Sequence, residues 1–180
     1  MSLPDLGQMI WASLKGSEIT HDEKKFLTEK HIGGVTLFRR NIINLPQIKE
    51  LNLELSSLNQ QNPLWIAVDQ EGGRTARIKD PQLDLPSMIF IGKHEQYRYL
   101  SRKTGQFLGS LLRMLHFNID FAPVADVYTN PNNTVIGDRA FSHDPKITAE
   151  CVFECIKGLE ETGIASCAKH FPGHGDTLED

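Results

Sequence analysis

The chain has 180 residues, 39% hydrophobic, 23% charged and 8% aromatic, and its 19 Lys and Arg against 23 Asp and Glu leave a formal charge of −4 at pH 7. This balance excludes a disordered chain, and without a Lys/Arg block it predicts no nucleic-acid partner. No apolar run approaches the roughly 18 residues of a membrane span, and MSLPDLGQMI lacks a signal-type apolar core, so no membrane association is expected.

In chain order, Gln8-Met9-Ile10-Trp11 reads as a first strand, and Thr20 followed by Glu23 fits a capping box opening a helix. The run Gly33–Phe38 reads as a buried strand, and Ile48, Leu51, Leu55 and Leu58 form the apolar stripe of a second helix. Another strand is predicted over Leu64–Val68. The longest helical pattern carries Leu100, Thr104, Phe107, Leu108, Leu111, Leu112 and Leu115, and is followed by a strand pattern over Ile119–Val124. Asp144-Pro145 has the chemistry of an N-cap with proline at the first helical position. That helix places Cys151, Cys155 and Leu159 on one face and stops near Gly163; Ile164–Ala168 is the last strand pattern. All three cysteines, Cys167 included, read as small core residues. Three is also an odd number and too few for a disulfide framework, which makes a reducing cytoplasm the expected location.

Strand and helix alternating without a linker predict an α/β fold with right-handed crossovers and a single domain over residues 1–180. An open doubly wound sheet and a (β/α)8 barrel both satisfy the pattern. Either would place its site after the strand ends, and unusual polar residues gather there. Arg39, Arg40 and Asn41 follow the Gly33 run. Asp69, Gln70, Glu71, Gly72, Gly73, Arg74 and Arg77 follow Val68. Asp126, three asparagines and Gly137-Asp138-Arg139 follow the Ile119 run, and Lys169, His170, His174, Asp176 and Asp180 follow Ala168. Four clusters at corresponding positions predict one shared pocket.

Asp69, at its strand end, is expected to accept hydrogen bonds from a ligand, and Glu71 to bind backbone or an arginine. Arg77 and Arg139 are candidate clamps for polar groups. A buried lysine at a strand end needs a reason, so Lys169 and His170 are assigned to ligand hydroxyls, while His174 and Asp176 are expected to support the loop. His170, His174 and Asp176 could in principle supply metal ligands. However, Pro172 and two glycines between the histidines remove the helical i, i+4 geometry of an HExxH site, and no metal is expected.

Taken together, Val68-Asp69-Gln70-Glu71-Gly72-Gly73-Arg74 and Lys169-His170-Phe171-Pro172-Gly173-His174-Gly175-Asp176-Thr177 resemble glycoside hydrolase family 3, and within it the bacterial β-N-acetylhexosaminidases of the NagZ type. Gly33–Phe38 with Arg40-Asn41, Phe121–Val127 and Ile136–Phe141 resemble the same group in the same order. The resemblance implies a TIM-type (β/α)8 barrel, cytoplasmic, needing no metal or organic cofactor. It would remove terminal N-acetylglucosamine from peptidoglycan fragments, muropeptides or anhydro-muropeptides, during cell-wall recycling. Residues matching Asp69, Arg77, Arg139, Lys169 and His170 hold the sugar in that family.

The family reaction retains anomeric configuration, using an aspartate nucleophile and a histidine paired with an aspartate as acid/base. Asp180 matches that dyad aspartate, whereas the family's histidine and nucleophile would fall after residue 180. A typical (β/α)8 barrel needs about 250 residues, so the expectation is an incomplete barrel of about the first five strand–helix units, inactive alone. Exposed sheet edges would then favour self-association or aggregation. Two alternatives are a non-catalytic sugar-binding fragment and a family 3 β-glucosidase, the latter disfavoured by the Lys169–Gly175 loop.

Overall fold

Short, continuous apolar runs want cover on both faces, and amphipathic helices supply it. In the computed structural model, which describes residues 6–58 and 62–178, these runs become β1 (Trp11–Ala12), β2 (Gly34–Leu37), β3 (Trp65–Val68), β6 (Ile119–Asp120) and β7 (Ala165–Ser166), and two further short strands, β4 (Gln70–Gly72) and β5 (Thr75–Ala76), follow β3. The helices are α1 (His21–Glu29), α2 (Leu45–Ser56), α3 (Met88–Lys93), α4 (Tyr97–Met114) and α5 (Pro145–Glu161). Asp180 lies outside the described residues.

Five strands form one parallel sheet in the order β1-β2-β3-β6-β7, and β4-β5 is a separate antiparallel hairpin. The sheet order follows the chain order without reversal. A doubly wound sheet reverses at a switch point, so the progression is that of a (β/α) barrel. Among the described residues the sheet is not closed: β1 and β7 are its two edges.

The helix ends obey the local chemistry. Thr20 Oγ1 accepts from the Glu23 N–H at 3.2 Å, while Glu23 Oε2 accepts from the Thr20 N–H at 2.9 Å, completing the capping box. Asp144 accepts from the N–H groups of Lys146 and Ile147 at the start of α5. Between sheet and helices lies the core: Val35, Leu37, Ile66 and Val68 from the strands, Ile48, Leu51 and Leu55 from α2, Leu108, Leu111 and Leu112 from α4, and Leu159 from α5. Cys151 and Cys155 are buried in it, and burial pushes the Cys155 thiol strongly up, leaving it an inert core group.

Several expectations need correction. The Ile119–Val124 run pairs regularly only over Ile119–Asp120; beyond it Pro123 offers no N–H, and contact with the last strand resumes as an isolated Val124–Lys169 bridge. Cys167 is exposed, not core. Alternation along a strand buries a side chain only where another layer covers it, and β7 is an edge. Phe107 is also more than a third exposed, at the margin of the otherwise buried α4 stripe. The β4-β5 hairpin and α3 carry no periodic pattern and were not expected.

Candidate active site

The turn after β3 folds back as the β4-β5 hairpin, and Gln70 locks it. The Gln70 Oε1 accepts from the N–H groups of Arg77 (2.9 Å) and Ile78 (3.0 Å), and its Nε2 donates to the Ile78 carbonyl (3.2 Å). Gln70 is itself held by β6, since its N–H donates to Asp120 Oδ1 at 3.0 Å. These buried bonds bring Arg77 back over the strand end, where its Nη2 donates to Asp69 Oδ2 at 3.2 Å. The Arg77 Nε is buried and has no partner among the described residues, a donor that a ligand could satisfy.

Lys169, just past β7, donates to Asp69 Oδ1 (2.7 Å) and Glu71 Oε1 (2.6 Å). Arg139, from the single-turn helix Gly137–Arg139, donates to both Glu71 oxygens, Nε at 2.8 Å and Nη2 at 2.9 Å. Its Nη1 donates to the Val135 carbonyl at 3.0 Å. Three cations therefore interlock with two carboxylates, and the Glu71 side chain is only 2% exposed. Burial opposes the charge on Asp69, but Lys169 and Arg77 outweigh it and hold its carboxyl below the usual range. The bond to Glu71 raises the Arg139 guanidinium further, so Arg139 is a fixed cation.

The loop after β7 is tied to the loop after β6 by Asp126. His174 N–H donates to Asp126 Oδ1 at 2.6 Å, and His170 places both its N–H (3.2 Å) and its ring Nδ1 (2.6 Å) on Oδ2. The His174 carbonyl accepts from Asn133 Nδ2, and Asp176 Oδ1 accepts from Thr129 Oγ1 at 2.9 Å. Gly175 passes so close to the neighbouring loop that a Cβ there would lie 1.7 Å from the Val127 carbonyl oxygen.

Asp69, Glu71, Arg77, Arg139, Lys169, His170 and His174 line a cleft of about 260 Å³. It continues into a hollow of about 530 Å³ that shares Lys169 and His170 and includes Asp126 and Asp176. Three of the four polar clusters thus converge. The fourth does not: Arg40 donates to Leu14 carbonyl and Ser13 Oγ, and Asn41 Nδ2 to the Leu14 and Gly16 carbonyls, so both pin the loop after β1. Arg74 likewise serves structure, bonding Asp138 and the carbonyls of residues 134–136. The sequence alone gives no role to Asp126, Gln70 or Asp120, although the strand-end position of Asp126 is a signal of one. Among the described residues no three His, Cys, Asp or Glu side chains gather to hold a metal ion.

A cleft of hydrogen-bonding charges at the carboxyl ends of parallel strands has the chemistry to hold a polyhydroxylated ligand. The glycosyl hydrolase family 3 N-terminal domain matches residues 4–180. A β-hexosaminidase of Thioalkalivibrio sulfidiphilus is 36% identical over 176 residues, covering 95% of this chain and 50% of that protein. One from Nitrosospira multiformis is 38% identical over 175 residues, covering 94% and 49%. Among solved structures, native NagZ of Neisseria gonorrhoeae superposes with a TM-score of 0.85 at 35% identity, covering 92% of this chain and 49% of that one. A family 3 β-N-acetylglucosaminidase from Paenibacillus reaches 0.91 at 35% identity, covering 100% and 35%. The chain spans about half the length of the curated relatives it matches, and its open five-stranded sheet is an incomplete TIM-type barrel. By fold and by sequence from residue 4 to residue 180, this chain belongs to glycosyl hydrolase family 3.

Proposed function

We propose that these residues form the sugar-holding side of a β-N-acetylhexosaminidase site that acts on terminal N-acetylglucosamine. The observation that carries this reading is the convergence of Asp69, Arg77, Arg139, Lys169 and His170 on one cleft. Relatives named β-hexosaminidase support it, as does a gonococcal NagZ solved with N-trifluoroacetyl-D-glucosamine at 35% identity. The acceptors Asp69 and Glu71 and the donors Arg77, Arg139 and Lys169 match the alternating donor and acceptor faces of sugar hydroxyls.

The finer reading is retaining hydrolysis of muropeptides in the cytoplasm, during cell-wall recycling. An aspartate would attack the anomeric carbon as a histidine protonates the departing oxygen, and water would then release the sugar with the proton returning to that histidine. Asp180 would orient the histidine. Three unpaired cysteines favour a reducing compartment. Residues 1–180 supply no counterpart of the family histidine or nucleophile, so by themselves they bind without turnover.

Two measurements on the purified chain test this. Calorimetry with N-acetylglucosamine should show binding that Arg139→Met weakens at least tenfold; a folded chain that binds no sugar refutes the site. Nitrophenol release from the β-N-acetylglucosaminide at a rate near that of a full-length relative refutes the assignment of catalysis to residues outside these 180.

A further inference from the structure

The His170 ring is placed between an acceptor and a donor. Its Nδ1 lies 2.6 Å from Asp126 Oδ2, and its Nε2 lies 3.3 Å from Arg139 Nη2. A guanidinium only donates, so the Nε2 facing Arg139 must present a lone pair. Asp126 Oδ2 also accepts the His170 backbone N–H, and Oδ1 accepts that of His174, so this carboxylate is surrounded by donors. Its side chain is 1% exposed, out of reach of competing water. A single arrangement satisfies every partner: the proton on Nδ1, the lone pair on Nε2.

From this geometry we propose that Asp126 is a positioning residue that sets the His170 tautomer, so that Arg139 and His170 together read a hydroxyl. A ligand oxygen that displaces the direct Arg139–His170 contact accepts the freed Arg139 Nη2–H and must donate to the freed His170 Nε2 lone pair. A hydroxyl does both. A carbonyl, carboxylate or ether oxygen accepts only, and would set its lone pair against that of Nε2. The pair therefore selects a neutral sugar hydroxyl over an oxidised or alkylated one at the same position. The tautomer stands on the geometry alone; the hydroxyl selection rests on the sugar-site reading above.

Nitrogen-15 NMR of the labelled full chain, with the His170 signals assigned by their loss in His170→Asn, reads the tautomer without any sugar. We expect a protonated, pyrrole-type Nδ1 and an unprotonated, pyridine-type Nε2. The reverse pattern, or two protonated nitrogens, overturns the proposal. Asp126→Asn keeps the shape but loses one acceptor, and should move the ring toward the Nε2–H form; an unchanged ring means Asp126 does not set it. For selectivity, binding of N-acetylglucosamine is compared with its 3-, 4- and 6-deoxyfluoro analogues, since fluorine cannot donate. One analogue should bind about tenfold more weakly, the order of one hydrogen bond to a buried acceptor, and that loss should shrink in Asp126→Asn. Equal binding of all analogues overturns the hydroxyl-reading role. Absence of any sugar binding refutes the sugar site instead and leaves the tautomer result intact.

Discussion

Replacing Glu71 by Gln removes one negative charge from the centre of the cleft while keeping the side chain's shape. Glu71 accepts two bonds from Arg139 and one from Lys169, whose side chains are 12% and 14% exposed. A glutamine keeps one oxygen and turns an NH2 toward the other donor. Charge-assisted bonds contribute about 1.5–3 kcal/mol each, and a buried pair that loses a partner outright costs about 3–5 kcal/mol. Here the loss is softened, because Lys169 keeps Asp69 and Arg139 keeps the Val135 carbonyl. We expect destabilisation of about 2–4 kcal/mol, a large part of the roughly 5–15 kcal/mol typical of a folded domain. Urea unfolding at neutral pH measures it, by circular dichroism and by the fluorescence of Trp11 and Trp65. The same substitution made on an Arg139→Met background should cost under about 1 kcal/mol, since the principal cation is gone. A cost below about 0.5 kcal/mol in the parent chain, or an equal cost in both backgrounds, would refute the view that Glu71 anchors the cleft electrostatically.

Asp120 and Asp69 should respond to pH in opposite senses. Burial raises the Asp120 carboxyl well above its ordinary value, so its contribution is full below the unfolded pKa and is lost as pH rises through the folded one; Asp120→Asn should gain on the parent from about pH 4 upward, and a pH-independent gap in urea midpoints would contradict this. Asp69, lowered by Lys169 and Arg77 despite its burial, contributes above its unfolded pKa and loses that contribution as pH falls through the folded one. Asp69→Asn should therefore flatten the acid limb of the stability profile, and an acid limb as steep as the parent's would count against it. Gly175→Ala cannot be accommodated 1.7 Å from the Val127 oxygen, so amide exchange across residues 170–177 should quicken and sugar affinity fall; unchanged exchange would show that the loop is not packed this way. Thr20→Ala removes a cap and should cost about 1 kcal/mol in urea, and no measurable loss would mean that the capping box adds nothing to stability.

Much of this protein is written in local chemistry. The Thr20–Glu23 box, the Asp144-Pro145 start and the Leu108–Leu115 stripe each involve residues within a few positions of one another, so their outcome needs no distant partner. The glycine-bounded strands and the loop Lys169–Asp176 are legible for the same reason, and with the Asp69–Arg74 turn they specify the family. What local reading could not settle is where a strand loses its cover, which exposes Cys167, and which strand-end cluster faces inward, which removes Arg40 and Asn41 from the cleft.

The cleft itself is a long-range object. Lys169 meets Asp69 across 100 residues of chain, and Arg139 meets Glu71 across 68. No periodicity encodes such pairings; they exist because parallel strands in chain order bring successive carboxyl ends side by side. Asp126 shows the same division most clearly. Its strand-end position marks it in the sequence as one polar residue among several, and its role emerges only when folding sets it beneath two histidines and away from water.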